Sequence, residues 1–381
     1  MGHNGPEGSG SVRRVVRWPD LILMAAVAMG ATSGSAWAQT TPPVSPAVPD
    51  DTPSIRVGAV LYGDYTYTKS PETTDADGNT IHPSAFNVTR SYINITGNVS
   101  HIVAFRFTPD IARETGTGSS LAGSLVFRVK YAFAQFNLDD WMARGSWARL
   151  GIQQTPWVDF EEGIYRYRFQ GTVFTEREGF LSSSDAGASF HYNLPSNYGD
   201  LHVGLYNGEN YNRTEVNDQK AVQLRGTVRP FAKSPIAALT GLRAHGFINA
   251  DHYVKDGERQ RALGSLTFEH AYLNAGFDYL KATDRTSATK PETNGHGYSF
   301  WATPKSPTGW EALLRYDHLT PDTAHDSQVR SRAILGVAYW FPHQGNVSAA
   351  LLLDYDGQTF HDFTPAQPKQ QRIGVHGLVS F

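Results

Sequence analysis

The side chains of this chain best suited to chemistry are its basic residues, which recur on one face of extended, alternating segments. They are Arg56, Arg106, Arg128, Lys130, Arg149, Arg225, Arg229, Arg243, Arg315, Arg330 and Arg332, with Arg372 near the C-terminus. A guanidinium grips phosphate or carboxylate at two points, and rows of such groups raise the local anion concentration and repel cations. Asp64, Asp110, Asp251, Asp317, Asp354 and Asp356 fall on the same faces, so pairing across strands that only braces a wall is the competing reading.

Other chemistries find no support. The chain holds 0 cysteines, which removes thiol catalysis, Cys-ligated zinc, iron–sulfur clusters and disulfides. Its 14 histidines include no H-E-x-x-H, so neither a metal nor a cofactor is expected. Asp75-Ala76-Asp77-Gly78-Asn79 resembles part of a calcium loop but lacks the later bidentate Glu, and reads as a loop tip. No G-x-S-x-G occurs, and Gly116-Thr117-Gly118-Ser119-Ser120 has no strand-to-helix context for a phosphate loop.

The elements that carry these residues follow a period of two. Ile55, Val57, Ala59, Leu61, Tyr65 and Tyr67 share one face, and Arg56, Gly58, Asp64 and Thr66 the other, which Val60 and Tyr62 blur. Leu125, Phe127, Val129, Tyr131 and Phe133 oppose Arg128 and Lys130, and Ile373, Val375, Val379 and Phe381 oppose Arg372 and His376. Such alternation marks strands with one apolar and one polar face.

About 16 segments show it: 54–68, 86–98, 101–111, 124–137, 146–155, 186–194, 200–207, 219–229, 239–252, 259–269, 271–282, 296–303, 310–319, 329–341, 347–357 and 371–381. Connections that follow odd segments are long, 253–258 excepted, and those that follow even ones are short. Long loops at one rim and tight turns at the other predict an all-β, transmembrane antiparallel barrel with long extracellular loops and short periplasmic turns. A barrel of that width cannot be filled by its own side chains, so its polar face is expected to line a water channel. Aromatics near segment ends (Tyr65, Tyr67, Trp147, Trp157, Tyr339, Trp340, Phe341, Tyr355 and Phe381) are expected in interfacial girdles beside outer-membrane lipid.

The N-terminus has a different grammar. Residues 1–38 read as a signal peptide, with Arg13, Arg14 and Arg17, an apolar run from Leu21 to Ala28, and Ala36-Trp37-Ala38 as the cleavage pattern. Residues 39–53 form a Pro-rich lead with nothing to bury, and 54–381 form the barrel. Lys+Arg total 33 against Asp+Glu 36, a net charge of −3, so no nucleic-acid partner is expected. The mean hydropathy of −0.39 suits a barrel in which only every second strand residue meets lipid.

Several stretches resemble the phosphate-selective porin (O and P type) family. Phe86-Asn87-Val88-Thr89-Arg90-Ser91-Tyr92-Ile93-Asn94-Ile95-Thr96-Gly97 is similar to its second-strand motif. Leu150-Gly151-Ile152-Gln153-Gln154-Thr155-Pro156-Trp157 is similar to its Gly-Gln-x-x-x-Pro-Phe motif, with Ile152 in place of Gln. Leu205-Tyr206-Asn207-Gly208, Leu314-Arg315-Tyr316-Asp317 and the final strand ending at Phe381 match further short signatures. The resemblance implies a 16-stranded outer-membrane channel, a homotrimer, arginines along the pore for small anionic solutes, and a terminal strand read by the barrel assembly machinery. Phosphate-specific members concentrate lysines near the pore, whereas Lys69, Lys255, Lys290 and Lys369 fall in expected loops here.

The longest loop, 156–185, is the candidate constriction, with Tyr165, Arg166, Tyr167 and Arg168 at its centre. An extracellular lid is its alternative. For the whole chain, an outer-membrane barrel enzyme of phospholipase or protease type and a secreted soluble β-protein are the competing classes.

Overall fold

The computed structural model describes Met1, residues 51–343, Gly345 and residues 347–381. The expected signal peptide beyond Met1 and the expected lead up to residue 50 lie outside the described residues. From Ser54 the chain runs through β1 (Ser54–Ser70), β2 (Ser84–Asn98), β3 (Val103–Arg113), β4 (Leu125–Asn137), β5 (Trp147–Gln154), β6 (Ser184–Asn193), β7 (Gly199–Tyr206) and β8 (Ala221–Val228). It continues through β9 (Leu242–Asp251), β10 (Glu258–His270), β11 (Leu273–Arg285), β12 (Thr293–Pro304), β13 (Trp310–Thr320), β14 (Val329–Trp340), β15 (Ser348–His361) and β16 (Gln370–Ser380).

Each strand pairs antiparallel with its sequence neighbours, and β16 pairs with β1 to close the barrel. Every expected segment corresponds to one strand. Several strands extend further toward the long-loop rim than the alternation indicated, so the connection after β11 shrinks to residues 286–292. At the opposite rim 138–146 and 229–241 are longer than tight turns, and the second holds a helical turn, Ala237–Thr240.

Period-two burial confirms the two faces. Along β15, Leu351 and Leu353 point outward with 50 % and 56 % of their surface open, while Ala350, Leu352 and Asp354 point inward and are buried. An outward apolar band on every strand requires an apolar solvent. No helix among the described residues is long and apolar enough to cross a membrane; the strands are the crossing elements.

Alternation fails where a bulge resets it. Thr108 pairs with Tyr131 but Pro109 pairs with Val129, so Lys130 is the extra residue on β4. Proline has no N–H to give the ladder, and a bulge accommodates it. Beyond the bulge Tyr131 and Phe133 turn inward and are buried, which corrects their expected outward placement. Three expected girdle tryptophans also face in. Trp340 is buried on the inner wall, Trp157 is buried in the longest loop, and Trp147 stacks on His191 at 5.1 Å.

Candidate functional site: the barrel interior and its longest loop

Residues 155–183 leave β5 and return to β6 as one closed excursion into the barrel. Its two ends are clasped together, with the Thr155 hydroxyl donating to the Ser182 carbonyl (2.5 Å) and the Thr155 amide to that of Ser183 (3.2 Å). After Pro156 the chain forms α1 (Val158–Tyr165), with Asp159 and Glu161 in its first turn, where the helix dipole favours negative charge. The helix ends at Arg166, whose φ of 68° reverses the chain. A non-glycine residue there costs on the order of 1–2 kcal/mol; the reversal aims its guanidinium at Glu311 of β13, 3.0 Å away. A second short helix, α2 (Phe174–Arg177), follows.

The loop is seated on apolar side chains that interrupt the polar inner face. Trp157 packs on Phe247 (ring centres 5.9 Å apart), Tyr165 on Trp301 (5.3 Å), Tyr167 on Trp340 (5.9 Å) and Phe169 on Tyr62 (6.3 Å). Val60, Leu280, Leu313, Ile334, Leu352 and Leu378 belong to the same buried cluster. Each large side chain removed from water contributes roughly 1.5–3 kcal/mol. Part of the inner face that was expected to line a water channel is therefore covered by the loop. The side chains of one chain cannot fill so wide a barrel from the wall alone, and the loop packs on part of that wall.

Polar contacts fix the loop's position. Tyr131 donates to Asp159 (2.6 Å), Asn274 to the Ile164 carbonyl (2.8 Å), Tyr167 to Glu311 (3.0 Å) and Gln170 to Asp354 (2.8 Å). Glu178 pairs with Arg330 at 3.2 Å. Within the loop, Arg168 lies against Glu162 (2.6 Å) and Glu176 (3.4 Å). Tyr165, Arg166, Tyr167 and Arg168 are thus brought together inside the barrel, where their side chains are spent on seating the loop.

Most wall cations brace as well. Arg106 donates to Thr108 and Asn94, and the Lys130 ammonium to Tyr92 (3.2 Å). Arg149 lies 3.7 Å from the Trp147 ring centre and donates to Gln135 and Gln154. Arg225 pairs with Asp200 and covers the Phe160 ring at 3.6 Å, and Arg243 pairs with Glu269 at 2.5 Å. Arg315 pairs with Asp317, and Arg332 with Asp356 at 2.8 Å. Arg56 stands exposed on β1 near the short-turn rim. Arg229 lies past the end of β8 and donates to the Thr240 carbonyl (3.2 Å), so it belongs to the turn and not to the wall.

One wall cluster differs. Asp110 is fully buried, and a single oxygen of it accepts from two guanidiniums, Arg90 at 2.7 Å and Arg128 at 3.2 Å. Their side chains keep 24 % and 30 % of their surface open, and Arg128 covers the Tyr211 ring at 4.8 Å. Two cations on one carboxylate leave a net positive charge in contact with water. Arg90 was not among the expected wall cations, although its alternation with Tyr92 and Asn94, both buried and inward, was readable.

No family model and no curated protein matches the chain. Solved structures do. The anion-selective porin from Comamonas acidovorans aligns with a TM-score of 0.61 at 12% identity, over 87% of this chain and 100% of that one. The outer-membrane channel DcaP of Acinetobacter baumannii gives 0.58 at 13%, over 86% and 97%. OmpT of Vibrio cholerae in its trimer form gives 0.56 at 12%, over 87% and 100%. The fold is the closed 16-strand antiparallel barrel of outer-membrane porins. The likeness to the phosphate-selective family reaches no further than this general architecture.

Proposed function

We propose that the chain is an outer-membrane diffusion channel that favours small anions, carboxylates and phosphate among them. The observation that carries this reading is the Arg90–Asp110–Arg128 cluster, in which two partly open guanidiniums share one buried carboxylate. An excess positive charge on a low-dielectric wall raises the local concentration of anions and repels cations. The planar guanidinium fork suits the two oxygens of carboxylate or phosphate. Residues 1–38 fit an export signal for this location, and Phe381 at the end of the closing strand fits recognition by the barrel assembly machinery. Likeness to an outer membrane protein solved in a trimer form supports a homotrimer.

Reversal potentials across planar bilayers in a potassium chloride gradient test the reading. Arg128→Glu, alone and with Lys130→Glu, should lower the anion-over-cation permeability ratio severalfold. Arg90→Gln should lower it less. An unchanged reversal potential in Arg128→Glu would overturn it.

A further inference from the structure

We infer that the outer wall of the barrel carries a binding groove for one anionic lipid, with its phosphate head at Lys281 and an acyl chain laid across β10, β9 and β8. The groove measures about 480 Å³ and is apolar apart from that lysine. Its floor is three glycines in register, Gly226 on β8, Gly246 on β9 and Gly264 on β10. Leu224, Ile248 and Ala262 flank the floor toward the long-loop rim. Leu201 closes one end, and Tyr279 with Lys281 the other.

Nothing inside the chain asks for glycine at these positions. None of the three has a positive φ. A Cβ at Gly246 or Gly264 would meet no atom within 4 Å, and one at Gly226 would meet only Leu201 Cδ1, at 4.0 Å. Glycine in a strand interior weakens the strand and often marks close approach by another body. A floor bare at three adjoining positions leaves room for a body outside the chain.

Lys281 identifies that body. Outward positions of a barrel strand meet lipid, where lysine is costly except near the interface. Its level is that interface. Tyr279 and Tyr298 form an aromatic step, and beyond it the outward residues turn polar, with His296 opposite Lys281 on β12. Lys281 is exposed and has no hydrogen bond or ion pair among the described residues. The outward strand positions described hold one carboxylate, Glu258, which Arg285 already takes at 2.9 Å. The strand face of a second copy therefore brings Lys281 no counter-charge, whereas a lipid phosphate lies within reach of its flexible stem.

The groove also slopes as a lipid requires. Counted from the short-turn end of each strand, Tyr279 and Gly264 stand seventh, Gly246 fifth, and Gly226 and Leu201 third. It thus descends from the lysine into the apolar band. Across β7 to β11 it spans roughly 19 Å at ~4.8 Å per strand step. Inclined, that length fits one leaflet, about half of the ~30 Å hydrocarbon core. The groove needs the barrel in its membrane but not ion conduction, so the two readings fail separately.

Native mass spectrometry of the refolded protein, equilibrated with dioleoylphosphatidylglycerol or with zwitterionic dioleoylphosphatidylcholine, tests it. One phosphatidylglycerol per chain should be held about tenfold more tightly than phosphatidylcholine, as one charge-assisted contact allows. Lys281→Gln should abolish that difference. Gly246→Leu, whose side chain enters the groove, should weaken both lipids severalfold. Gly264→Leu gives the same comparison should Gly246→Leu not fold, and the gel mobility difference between folded and unfolded forms reports folding. Equal retention of the two lipids by the parent overturns the site, as does an undiminished preference in Lys281→Gln. A Gly246→Leu protein that leaves an oligomer while keeping its lipid assigns the groove to a second copy and overturns it too.

Discussion

Arg315 and Asp317, two residues apart on β13, face the barrel interior side by side and make a two-point ion pair, Nε to Oδ1 at 2.8 Å and Nη2 to Oδ2 at 2.7 Å. The remaining Nη1 donates to the Thr172 carbonyl of the inward loop at 2.8 Å. Wall and loop are thus joined through a pair with 1 % and 3 % side-chain exposure.

Asp317→Asn should destabilise the folded barrel by about 3–5 kcal/mol, because it leaves a buried guanidinium without its counter-charge. Replacing both partners, as in Arg315→Met with Asp317→Leu, should cost less than the single change, since no charge is stranded. Urea unfolding of the refolded protein, followed by the gel mobility difference between folded and unfolded forms, measures both. A double variant less stable than Asp317→Asn would mean that the pair contributes more than its own desolvation.

Arg168, 6 % exposed between Glu162 and Glu176, carries a different expectation. Arg168→Gln strands two buried acidic groups and should loosen the loop, raising the rate at which added protease cuts within residues 155–183 severalfold. The reversal potential should stay close to that of the parent, because this cation has no open surface to offer an ion. A shifted potential with unchanged cleavage would place Arg168 on the ion path after all.

The strand count and the two faces were legible because lipid on one side and polar groups on the other impose a strict period of two. What alternation could not carry was any point where the register resets, as at Pro109 and Lys130. The proline itself was the available signal, since it is tolerated mid-strand mainly at bulges or edges. Val60 and Tyr62 were visible as apolar residues on a polar face. Read together with Leu280, Leu313, Ile334 and Leu352, they say that something apolar packs inside the barrel. Which arginine binds an anion and which braces was not readable, because pairing depends on register across strands. Arg90 and Arg128 reach the same Asp110 oxygen from opposite sides, and only the folded sheet sets that geometry.

His101 offers a pH-dependent test at the short-turn rim, outside the strands. Its Nδ1 lies 2.7 Å from Asp51 and its Nε2 3.1 Å from Asp140, so it ties two turns to the start of the described chain. Hydrogen bonds to Asp51, then to Asp140, raise its pKa above the ordinary histidine value. A raised folded value means the stabilisation is fully present below the ordinary value of about 6.5 and fades as pH rises through the folded value. Histidine-selective NMR in micelles should show His101 titrating above the exposed histidines, and Asp140→Asn should bring it back toward them. A His101 that titrates below 6.5 would contradict the two-carboxylate contact.

The last strand makes the closing prediction. Phe381 exchanges two backbone hydrogen bonds with Ala59, each 3.0 Å, and its ring points outward with 66 % of its surface open. Deleting Phe381 removes both bonds, a net loss of about 1–3 kcal/mol at roughly 0.5–1.5 kcal/mol each, whereas Phe381→Ser keeps them and removes only the ring. If the ring serves assembly and the backbone serves closure, Phe381→Ser should refold in detergent almost as well as the parent yet accumulate poorly as folded barrel in cells. The deletion should be impaired in both settings. Equal accumulation of Phe381→Ser and the parent in cells would assign the residue to closure alone.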